Sequence, residues 1–103
     1  MIAETVAIVL ASSYCDARIS SGARMNCSAI TAASRDLPID TCIEVNKVKI
    51  LINDIGPCTS ELCIKNKPHI LKRKLDFSYG TVKALGFKLP FLGKVKYKVV
   101  ECK

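Results

Sequence analysis

Tryptophan is absent from this chain, and three tyrosines and three phenylalanines are its only other large aromatics. None of them falls between Lys65 and Lys74, the most basic stretch, so the aromatic interleaving that helps hold single-stranded nucleic acid is missing there. Specific nucleic-acid binding is therefore not expected. There is one histidine, His69. It sits among lysines without a Ser/His/Asp pattern, and it reads as a solvated loop residue, not a catalytic base. No apolar run reaches the roughly 18–20 residues of a membrane span. The longest, Val6-Ala7-Ile8-Val9-Leu10-Ala11, has the length of a strand. A Gly-rich phosphate loop is also absent. The only early charge is Glu4, so no positive leader marks a signal peptide, and the chain reads as a mature one whose signal is not visible.

What is present narrows the class further. The 103 residues make one domain, 1–103, and half of them are hydrophobic, which excludes disorder as the main state. Six cysteines in so short a chain are the staples of an exported domain with a thin core. They imply an oxidising compartment: periplasm, cell surface or outside. Zinc fits poorly, because the single close pair is Cys58-x4-Cys63 and paired knuckles are lacking. Neither a metal nor a cofactor is expected, and a monomer is assumed.

Charge is split along the chain. Residues 1–64 hold five Lys/Arg and seven Asp/Glu, whereas residues 65–103 hold eleven and two. Lys65, Lys67, Lys72, Arg73 and Lys74 form a run suited to an anionic polymer, or simply a solvated loop in a basic protein.

The coarse pattern is that of short strands. Residues 5–11 read as a buried strand. Ser20-Ser21-Gly22 is a turn, and Ser28 to Ser34, rich in alanine, is a short helix candidate ended by Leu37-Pro38. Cys42 to Asn46 alternates with Ile43 and Val45 on one face, and Val48 to Ile52 follows after a turn at Asn46-Lys47. A helix is expected from Ser78, as N-cap, to Leu85, with Gly86 beyond it. The chain ends in a half-buried strand, Val95, Tyr97 and Val99 facing in and three lysines facing out. These elements favour a small β-barrel or sandwich.

Asp54 stands where the strand through Ile52-Asn53 gives way to Gly56-Pro57. It could be a buried general acid or base, or it could bond the backbone amides of that turn. Asp16, Asp36, Asp40 and Asp76 are other candidate acids, but no spacing selects one as a partner.

Several motifs occur in an order that resembles one family. They are Ala11-Ser12-Ser13-Tyr14, Ser20-Ser21-Gly22, Ala29-Ile30-Thr31-Ala32-Ala33-Ser34-Arg35-Asp36-Leu37-Pro38, Ile52-Asn53-Asp54-Ile55-Gly56-Pro57, Leu75-Asp76-Phe77-Ser78 and Val82-Lys83-Ala84-Leu85-Gly86-Phe87. Together they resemble the rare lipoprotein A-like domain, which is related to the N-terminal domain of expansins and to barwin-like proteins. The resemblance implies a mainly β fold, a six-stranded double-psi β-barrel with one or two short helices. From the barwin-like ending it also implies a Cys42–Cys102 disulfide. Short loops then suggest Cys15–Cys27 and Cys58–Cys63, although six cysteines allow fifteen pairings.

Family members that cleave peptidoglycan are lytic transglycosylases. By resemblance Asp54 is the catalytic aspartate. The family's glutamate falls on Ala23, its histidine on Ser34 and its arginine on Ile55. Alanine transfers no proton and serine does not titrate near neutrality. The resemblance therefore implies an exported protein that engages cell-wall polysaccharide or peptidoglycan, with weak or lost cleavage. Its groove is expected to use Ser12, Ser13, Tyr14, Asn53 and Ser34 beside Asp54. The alternative is a secreted protein-binding module, such as a protease inhibitor or effector, on the same barrel.

Overall fold

The computed structural model describes residues 6–57, 60–67, 69 and 72–103. Six strands form a closed barrel: β1 (Val6–Tyr14), β2 (Thr31–Ser34), β3 (Cys42–Val45), β4 (Val48–Ile55), β5 (Arg73–Ser78) and β6 (Leu92–Val100). Two short helices, α1 (Glu61–Asn66) and α2 (Tyr79–Ala84), lie before and after β5. The order around the barrel is β1-β5-β2-β4-β3-β6, closing on β1. Two pairings, β1 with β5 and β2 with β4, are parallel, and the rest are antiparallel. This is the mainly β, six-stranded double-psi barrel that the motifs imply. Among the described residues no helix is long and apolar enough to cross a membrane.

The interior is filled by alternation. Ile43, Val45, Ile50, Ile52, Leu75 and Phe77 point inward and are almost wholly buried. Val95 and Tyr97 of β6 join them, as the terminal alternation predicts. The β3–β4 hairpin closes through Asn46 and Lys47, whose φ values of 48° and 68° are those of a two-residue turn matched to strand twist.

One element differs in kind from expectation. Residues 28–34 do not form a helix; Thr31–Ser34 is β2, wedged between β5 and β4 and buried at every position. Alanine favours helix locally, but here small side chains let a strand sit in a place covered on both faces. Burial on both faces also erases the polar–apolar alternation that would announce a strand. The sequence reading also predicts no strand over Arg73–Ser78. The helix after it begins as expected: the Ser78 hydroxyl accepts from Thr81 N at 3.2 Å.

Disulfides join Cys15 to Cys27 and Cys42 to Cys102, as expected. Cys63 is also disulfide-bonded; its expected partner, Cys58, lies outside the described residues.

Gly80 shows why glycine stands near the start of α2. Its N–H donates to the Cys27 carbonyl at 2.7 Å. A Cβ at this position would run into the Ser28 carbonyl, which is backbone and cannot swing aside. Gly80→Ala is therefore expected to lower stability by about 2 kcal/mol or more. A chemical-denaturation midpoint would check this; an unchanged midpoint would mean that the 27–29 segment can retreat at no cost.

Candidate functional site

The two parallel pairings and the β2–β5 pairing place four residues in one row across neighbouring strands. Ala33 of β2 is in register with Asp54 of β4 on one side and with Asp76 of β5 on the other, and Asp76 is in register with Ser12 of β1. Register shifts at Leu10/Ala11 and Ala32/Ala33 turn this end of the strands so that polar residues align. The two aspartate backbones stand two strand spacings apart, about 10 Å, with only an alanine methyl between them.

Asp54 is 6% exposed. Its Oδ2 accepts from the Tyr14 hydroxyl at 2.9 Å, and its Oδ1 accepts from Ser20 N at 2.7 Å and Ile55 N at 2.8 Å. Thus Asp54 does bond local backbone, as one sequence reading has it, and also gathers a side chain and a loop from elsewhere. Tyr14 starts on β1 and reaches β4 over the two strands between them, where small Ala33 leaves room. Burial, with Asp54 beside it, pushes the Tyr14 phenol well above its ordinary range, so it stays a donor.

The segment that brings Ser20 here is built for the purpose. The Cys15–Cys27 bridge closes it. Inside, Arg18 pairs with Arg24, and Gly22 takes φ 89° in the turn. Ala23, where the resemblance puts the family's glutamate, is exposed in this small hairpin.

Asp76 is 9% exposed and accepts from the Ser12 hydroxyl at 2.8 Å. Burial raises its carboxyl from 3.8 to about 6, against the opposing pull of the Ser12 hydrogen bond and the Arg73 charge. Near neutrality it can therefore hold and release a proton. Sequence spacing does not single out Asp76 among the acids. Its place between Leu75 and Phe77, both fully buried, puts it by alternation on the other face of β5, where the pairing with β1 and β2 covers it.

Of the residues expected to line a groove, the fold brings Ser12, Tyr14 and Asp54 together. Ser13 projects from the other face of β1 and accepts from Phe91 N at 3.0 Å. The Ser34 hydroxyl accepts from Asp36 N at 3.1 Å and Leu37 N at 2.9 Å, which fixes the turn after β2. Asn53 sits at the irregularity in β4, its Oδ1 buried and without a hydrogen-bond partner.

The basic run is shared between α1 and β5. Lys65 lies in the last turn of α1 and Lys67 is its C-cap. Lys72 is exposed, whereas Arg73 and Lys74 belong to β5, where Lys74 pairs with Asp36 at 3.5 Å.

Comparison with known proteins agrees with the barrel. The lytic transglycolase family matches residues 6–99. A probable endolytic peptidoglycan transglycosylase RlpA of Synechocystis sp. is 31% identical over 90 residues, which is 82% of this chain. The chain spans about 25% of that relative's length. The chain belongs to the lytic transglycolase family, as a rare lipoprotein A-like double-psi β-barrel domain.

Proposed function

We propose that this domain is exported, binds the glycan strands of peptidoglycan along the Ser12–Asp76–Asp54 row, and cleaves them slowly by intramolecular transglycosylation. The observation that carries the reading is the pair of buried aspartates flanking Ala33, one of them shifted toward neutrality.

In this scheme Asp76 carries the proton. It protonates the glycosidic oxygen as the bond from that oxygen to the anomeric carbon breaks. The 6-hydroxyl oxygen of the same sugar then bonds to the anomeric carbon, and its proton returns to Asp76. Atoms balance, no water is consumed and the carboxyl is regenerated. Asp54, its oxygens taken up by three donors, orients Tyr14 against the developing positive charge on the sugar. The resemblance alone assigns the catalytic part to Asp54; the proton-holding environment belongs to Asp76.

The test uses intact oxidised protein with peptidoglycan sacculi, measuring pelleting and release of anhydro-sugar fragments. Release that falls by about 100-fold or more in Asp76→Asn is the expected outcome. Pelleting with no release would reduce the reading to a binding module. Neither pelleting nor release would sink it, and would turn attention to Leu62 and Ile64, exposed on α1 beside Cys63, as a contact for a protein such as a protease.

A further inference from the structure

The wall around β6 carries a second feature that the acidic row does not use. Strand β6 alternates, so Lys94, Lys96 and Lys98 all project outward while Val95 and Tyr97 fill the core. Their spacing along the strand is about 6.8 Å. In register, Lys94 stands opposite Leu10 and Lys96 opposite Ile8, neither of which can compensate a charge. Lys98 pairs with Glu44 of β3 at 3.7 Å, and the same glutamate faces Lys49 of β4. Among the described residues, five lysines, Lys47, Lys49, Lys94, Lys96 and Lys98, thus share one wall with Glu44.

A cleft of about 340 Å³ opens in this wall, lined by Lys47, Lys96, Lys98 and Glu44. Lys47 reaches it from the second position of the β3–β4 turn at φ 68°. Glycine would occupy that position without strain, whereas a lysine accepts a backbone penalty and places a cation at the mouth. Like charges repeated along a strand repel one another, and a bound anion would relieve that repulsion.

We propose that this wall is a binding site for a linear phosphodiester polymer of the polyol-phosphate kind. A repeat of six backbone bonds between phosphates extends about 7 Å, close to the lysine repeat, so successive charges can meet successive lysines. The lysine stems are flexible point charges suited to phosphate without a fixed orientation. A lipid surface is less well matched: the outward residues of β1 beside the ladder are Val6, Ile8 and Leu10, and an aromatic anchor is not among them. Measured along β1 from Ser12, the ladder begins about 7 Å away at Lys94, opposite Leu10, and ends about 20 Å away at Lys98, opposite Val6.

The test is binding of a fluorescent synthetic oligo(glycerol phosphate) of about ten repeats, followed by anisotropy as salt is raised from about 50 mM. The native protein is compared with Lys94→Glu/Lys96→Glu and with Lys65→Glu/Lys72→Glu, which makes the same change in net charge in the basic run. All four lysines are exposed, so folding should survive, and thermal unfolding checks that. A milder Lys94→Gln/Lys96→Gln pair should give an intermediate loss. The expected result is affinity at least about tenfold weaker in the Lys94/Lys96 variant, with a salt slope shallower by about 1.5, and under about twofold change in the Lys65/Lys72 variant. Equal losses in both variants would reduce the effect to net charge and overturn the site. So would a loss confined to Lys65/Lys72, no binding by the native protein, or tighter binding to anionic vesicles at matched phosphate.

Discussion

Asp76→Asn is expected to abolish glycan-strand cleavage and, at the same time, to make the protein more stable at neutral pH. The sign follows from linkage. Burial raises the folded carboxyl to about 6 from 3.8, so between these values the folded state binds more proton than the unfolded chain. Stability contributed by this group is complete below about pH 4 and is lost as pH rises through about 6. The penalty at neutral pH is on the order of 3 kcal/mol. Asparagine keeps the shape and an acceptor for the Ser12 hydroxyl, but removes the charge that burial disfavours. Denaturant midpoints at pH 4 and pH 7 should therefore coincide with the native protein at the lower pH and exceed it at the higher. Cleavage should fall by about 100-fold or more, the ordinary weight of a general acid. In the native protein, cleavage should decline as pH rises through about 6. A variant that is less stable at pH 7, or that still releases fragments, would show Asp76 to be a structural acid only.

Removing the Cys42–Cys102 bridge should give the largest loss of stability among the disulfides described. The bridge ties the first residue of β3 to the chain just beyond β6 and closes a loop of 60 residues. Loop-closure entropy of that length corresponds to about 4 kcal/mol, against about 3 kcal/mol for the 12-residue Cys15–Cys27 separation. For a domain of this size 4 kcal/mol is a large share of the total. Cys42→Ser/Cys102→Ser and Cys15→Ser/Cys27→Ser are to be compared by denaturant unfolding under oxidising conditions. The long-loop pair should lose more stability. The short-loop pair should lose more glycan cleavage, because it braces the hairpin that carries Ser20 to Asp54. A reversed order of stability would mean that loop length does not govern here.

The site was partly legible before the fold. Asp54 and Tyr14 stand in motifs that the family resemblance quotes, and they do meet, at 2.9 Å. Ser13 could not be told from Ser12 by resemblance, yet neighbouring residues on a strand face opposite sides, and only Ser12 reaches an aspartate. Asp76 was hidden because nothing local separates it from Asp16, Asp36 or Asp40. What distinguishes it is desolvation, and desolvation comes from neighbouring strands. The basic run looked continuous in sequence, but the chain turns from α1 into β5 within it and divides its charges.

The sequence by itself determined the class of molecule. Alternation in Cys42 to Asn46 and Lys94 to Val100 set strands and core faces, because a period of two needs no partner to be read. The cysteines set the brace, and the ordered motifs set the barrel. Tertiary structure decided the rest. Residues 28–34 favour helix on their own; a slot between β4 and β5, covered on both faces, makes their second half a strand because the buried contacts outweigh local preference. The same slot sets Ala33 between Asp54 and Asp76, from β4 and β5, which the chain order keeps apart. The charge state of Asp76 and the lysine wall both arise from register between strands, a property that belongs to pairs of segments and to neither one alone.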